Sequence, residues 1–117
     1  MKNMKEDFLE ELFQLIEKRK KADSNDSYVK YLQEAGTSKI NEKILEETLE
    51  LLEASSETTK DKKEKIIHET ADLWFHVMVL LSNQDIELDE IVKELQSRFG
   101  TSGHIEKASR SSSEEEK

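Results

Sequence analysis

Apolar positions recur at helical spacing along most of this chain. Phe8, Leu12 and Ile16 fall four apart, with Leu9 and Phe13 beside them, which predicts a helix over residues 6–21. A polar stretch follows. Asp26 or Ser27 is placed to cap a short second helix running to residue 35, with Tyr28, Tyr31 and Leu32 inward and Gly36 as its stop. Ile40, Ile44, Thr48, Leu51 and Leu52 form the stripe of a third helix over 38–55. Residues 55–60 are polar and read as a connection. A fourth helix is predicted over 61–81. From Leu73 it runs Leu-Trp-Phe-His-Val-Met-Val-Leu-Leu, apolar around nearly its whole circumference, the pattern of a buried helix. Asn83-Gln84-Asp85 breaks the pattern, and a fifth helix over 88–99 turns Leu88, Ile91, Val92, Leu95 and Phe99 inward. No segment alternates long enough to demand a strand. The expectation is an all-α bundle of four to five helices, with one domain over residues 1–100. A tail over 101–117 ends in Ser-Ser-Ser-Glu-Glu-Glu-Lys, and this end has nothing to bury and is expected to be disordered.

Composition sharpens this picture. The 117 residues suit one domain, and the absence of Pro with only 3 Gly favours helices over tight turns. Hydrophobic residues are 34% and charged residues 38%, so the core of a single chain is thin. A bundle completed by homodimerisation would cover the fourth helix. The net charge of −9 argues against nucleic acid or an anionic membrane as partner. It leaves room for a small anionic substrate, because bound cations reverse a local field. With no Cys, disulfides and thiolate metal sites are excluded. The first residues lack the apolar core of a signal peptide, and no apolar run is long enough to span a bilayer. A cytoplasmic protein is expected.

The acids carry the candidate chemistry. Glu69 and Asp72 are three residues apart and share a helix face with His76, just ahead of the apolar run. Glu47 and Glu50 are spaced alike on the third helix, with Glu46 further out. If the two helices pack antiparallel, the pairs face each other, and carboxylates so close need cations to stay ionised. An all-oxygen set suits hard ions, magnesium first and manganese second. Such a site polarises phosphoryl oxygens and holds pyrophosphate. Arg19, Lys20 and Lys21 at a helix end either complement its dipole or bind phosphate, and Lys39 and Lys43 precede the acidic motif. The plainer reading is a set of solvated helix faces, since 27 acidic residues produce such spacings readily.

The order of these motifs adds a resemblance. Glu46-Glu47-x-x-Glu50 followed by Glu69-x-x-Asp72 resembles the MazG-like all-α nucleotide pyrophosphatases. Ser27-Tyr28, Gly36, Lys39-Ile40, Lys43, Glu69-x-Ala71-Asp72-Leu73 and His76 extend the match. So does the ending Ser102-Gly103-x-x-Glu106-Lys107-Ala108-x-Arg110. Together they make the chain, over about residues 8–110, similar to the phosphoribosyl-ATP pyrophosphatase family of histidine biosynthesis. The resemblance implies magnesium-dependent hydrolysis of phosphoribosyl-ATP to phosphoribosyl-AMP and pyrophosphate by a helical dimer. It implies Glu47, Glu50, Glu69 and Asp72 as metal ligands, with Glu46 as a further ligand or the group that positions water. Arg19, Lys20, Lys43, Lys107 and Arg110 are implied as phosphate-binding. Leu45 stands where the family usually has Gly, Thr48 where it has Ala, and the loop after Asp23 lacks the usual Pro; every candidate ligand is in place. Two other readings share parts of the pattern. A house-cleaning nucleoside triphosphate pyrophosphatase has the acids without need of the late motif, and a non-catalytic helical interaction module has no need of either.

Overall fold

A computed structural model describes residues 4–21 and 27–100 of the chain. The helices are α1 (Met4–Lys20), α2 (Tyr28–Ala35), α3 (Thr37–Ser56), α4 (Lys62–Asn83) and α5 (Leu88–Phe99). No strand occurs among the described residues, as the spacing of apolar positions required. The tail over 101–117 and most of the loop before Ser27 lie outside them. Two compact units are distinguished, Met1–Ile86 with α1 to α4 and Glu87–Lys117 with α5.

Local signals set the ends of α2. Ser27 is its cap: extended backbone places Oγ to accept from the Lys30 N–H at 3.2 Å. Gly36, the single residue between them, closes α2 and opens α3. Its N–H donates to the Leu32 carbonyl, and its own carbonyl accepts from Lys39 and Ile40. That double duty requires φ of 102°, a conformation natural to glycine alone. At the far end of α4, Asp85 takes φ of 59°, and its N–H donates to Ser82.

The core of the first unit draws on four helices: Phe13 and Ile16 from α1, Val29 and Leu32 from α2, Ile40 and Ala54 from α3, Met78 and Val79 from α4. The helices α3 and α4 make the most extensive packing, joined by residues 57–61. They run antiparallel, since Glu50 lies beside Glu69 while Glu57 pairs with Lys65 at 2.8 Å.

Several expected inward residues face out. Tyr28, Tyr31, Leu52 and, on α4, Trp74 are exposed; Ile67, also on α4, is exposed too. Only one side of α4 meets the other helices of this unit; its outer side keeps the apolar character read from sequence. Leu45, Leu49 and Leu52 make a matching stripe on α3. The register that sets Glu50 beside Glu69 places Leu52 level with Ile67 and Leu45 level with Trp74.

In the second unit, α5 begins with a reciprocal cap. Glu87 and Glu90 each accept from the other's backbone N–H, and Arg98 closes the last turn. Ile91, Val92, Leu95 and Phe99 are exposed rather than inward.

Candidate active site

The spacing read from sequence converges in space. Carboxylate oxygens of Glu47, Glu50 and Glu69 lie within 4.8 Å of one another, and so do ligand atoms of His68, Glu69 and Asp72. Glu69 belongs to both groups and joins them. The i, i+3 spacing on each helix puts each pair on one face, and antiparallel packing turns the faces together.

Burial makes this closeness consequential. Glu47 is 7% exposed, and its Oε1 has no hydrogen-bond partner. Glu69 Oε1 is likewise buried and unpartnered. Burial first, then the charge of Asp72 and the neighbouring Glu69, together raise the pKa of Glu47 to about 7. Glu50 is raised as well, first by the hydrogen bond it shares with Glu69 and then by the Glu69 charge. Buried carboxylate oxygens without a hydrogen-bond partner are a poor arrangement for a bare protein. A hard divalent cation would satisfy both orphaned oxygens and offset the crowding of charge, so the donor set fits magnesium or manganese.

Around the acids the predicted residues divide. Glu46 is half exposed and bonded to Lys43 at 3.0 Å, at the rim one residue before Glu47. Lys39 is paired with Glu42 at 2.8 Å. Lys20 is engaged elsewhere: its Nζ donates to the Ser82 carbonyl at 2.7 Å and lies 3.6 Å from Asp85. It thereby caps the C-terminal end of α4, whereas Glu69 and Asp72 lie nearer the middle of that helix. Arg19 is exposed on the last turn of α1. Lys107 and Arg110 lie outside the described residues.

Two contacts near the acids went unseen in the sequence. His68 Nε2 lies 3.2 Å from Asp72, a contact its i, i+4 spacing could have revealed. Tyr28, expected as core, instead bonds His76 through its hydroxyl at 2.9 Å. Forty-eight residues separate the two, and no local pattern links them.

The family described as phosphoribosyl-ATP pyrophosphohydrolase matches residues 9–99, from the first helix through the fifth. The chain belongs to that family. Among curated relatives, the phosphoribosyl-ATP pyrophosphatase of Geobacter metallireducens is 44% identical, over 92% of this chain and 96% of its own length. That of Ruthia magnifica is 45% identical over 89% and 96%. That of Neisseria meningitidis serogroup B is 41% identical over 94% of this chain and its whole length. The match thus covers the acid-bearing helices and does not rest on the acids alone.

Proposed function

We propose that this chain hydrolyses phosphoribosyl-ATP to phosphoribosyl-AMP and pyrophosphate, as a magnesium-dependent cytoplasmic homodimer of histidine biosynthesis. The observation that carries the chemistry is the convergence of Glu47, Glu50, Glu69 and Asp72, with two buried carboxylate oxygens left unpartnered. Family membership supplies the substrate.

In the reaction, the elements of water are added across the anhydride between the first and second phosphates, and pyrophosphate leaves. Glu47, Glu50, Glu69 and Asp72 would hold the metal. When bound, magnesium neutralises these carboxylates and polarises the phosphates. Glu46, at the rim and outside the ligand groups, would orient the attacking water and receive its proton. Lys43, whose ammonium already lies on Glu46, brings the positive charge that a phosphate oxygen entering the rim would meet. His68 bonds Asp72 from the solvent side and limits how that carboxylate turns.

Support for the dimer comes from the outer side of the α3–α4 hairpin, where Leu45, Leu49, Leu52, Ile67 and Trp74 are each more than half exposed. No helix among the described residues is long and apolar enough to cross a membrane, and the net charge of −9 disfavours nucleic acid as partner.

The test is pyrophosphate release with magnesium, comparing phosphoribosyl-ATP with ordinary nucleoside triphosphates. Strong preference for phosphoribosyl-ATP is expected. Preference for free triphosphates would move the protein to the house-cleaning branch. Folded protein inactive on both would favour the non-catalytic module.

A further inference from the structure

His76 is buried on α4, one turn past Asp72. Its Nδ1 lies 2.8 Å from the Asp72 carbonyl oxygen, and its Nε2 lies 2.9 Å from the Tyr28 hydroxyl. A carbonyl oxygen only accepts, so Nδ1 carries the proton. In the neutral ring Nε2 is then the acceptor, and Tyr28 is the donor. The one hydroxyl proton of Tyr28 is thereby committed. Toward any other group its oxygen offers lone pairs alone.

The ring of Tyr28 is held as firmly as its hydroxyl. It stacks on Phe75 at 18° and on Tyr31 at 25°, with centroids 6.2 Å apart in both cases. It also meets His76 edge to face at 5.7 Å. Yet Tyr28 is 44% exposed, so this support fixes a surface that remains open. Its bond to His76, which in turn bonds the Asp72 backbone, sets it beside the acid cluster. Phosphate oxygens are acceptors and cannot pair with an oxygen that only accepts. The matching group on a nucleotide is a sugar hydroxyl or a base N–H.

We propose that Tyr28 is a specificity-determining residue, whose hydroxyl oxygen, oriented by the positioning residue His76, accepts a hydrogen bond from the nucleoside part of the substrate. The proposal rests on the pyrophosphatase reading above. It divides the site in two: the acids and Lys43 handle the phosphates, and the α2 end reads the remainder.

Tyr28→Phe tests it, since the ring and its stacking remain and only the oxygen is lost. The assay is pyrophosphate release from phosphoribosyl-ATP at several magnesium concentrations, with wild type alongside. Loss of one neutral hydrogen bond should raise KM about fivefold, with kcat changed less than about twofold. The magnesium concentration for half-maximal rate should stay within about twofold of wild type, because the acids are untouched. An unchanged KM would overturn the proposal while leaving the pyrophosphatase reading intact. So would a parallel shift in magnesium requirement, which would make Tyr28 a support for the acids instead. A folded wild type without turnover would sink the reading, and the proposal with it.

Discussion

Glu47 is the residue at which burial and repulsion meet, and its protonation sets how stability depends on pH. In the unfolded chain a glutamate releases its proton near its ordinary value; in the folded protein Glu47 holds it up to about 7. Across that window the native state binds more protons, so stability falls as pH rises and the full penalty is present above about 7. The effect is on the order of 1–3 kcal/mol. Thermal melts in chelator between pH 5 and pH 8 should therefore show a falling midpoint, and excess magnesium should flatten the profile. Glu47→Gln should stabilise the chelated protein at pH 8 by a similar amount. The same substitution should cut pyrophosphate release by well over tenfold, more than about 1.4 kcal/mol of barrier. A flat profile in chelator would contradict the assignment of Glu47 as a buried, crowded acid. These acids were legible in the sequence because a three-residue spacing states which side chains share a face. The tie between Tyr28 and His76 was not, because it depends on how α2 settles on α4. Lys20 shows the converse. Its place at a helix end was legible, but only the fold shows that its ammonium sits on the Ser82 carbonyl.

At the scale of elements, the junction of α2 and α3 depends on Gly36. A Cβ built there meets nothing within 4 Å, so Gly36→Ala introduces backbone strain without a clash. A cost of about 1–3 kcal/mol is expected, read by urea unfolding. Ser27→Ala should cost about 1 kcal/mol through loss of the α2 cap. The helix boundaries followed the predicted ones to within about two residues, since caps and breakers act locally. Inward faces were harder to read. A stripe such as Ile91, Val92 and Leu95 announces that a face is apolar, and it does not say what covers it.

Across the whole molecule, the outer side of the α3–α4 hairpin bears on assembly. If it is the dimer interface, Trp74→Glu places an unpaired charge at its centre and should weaken association by at least about 2 kcal/mol. Sedimentation should then show monomer at concentrations where wild type is dimeric. A variant with unchanged mass in solution would remove this face from the interface. Here the sequence was informative to a degree. A helix apolar all round signals cover on every side, but its own chain and a second copy provide equally good cover.

All four clustered acids lie between positions 47 and 72, on two helices that follow one another directly. Bringing them together closes one short loop and needs neither α5 nor the tail, so the entropic barrier to assembling the cluster is low. During synthesis this hairpin would be complete before α5 is made. A cation able to bind the hairpin before the rest has formed acts on the folding transition state as well as on the native state. Magnesium should then accelerate refolding and leave the unfolding rate nearly unchanged, the kinetic signature of a site formed early.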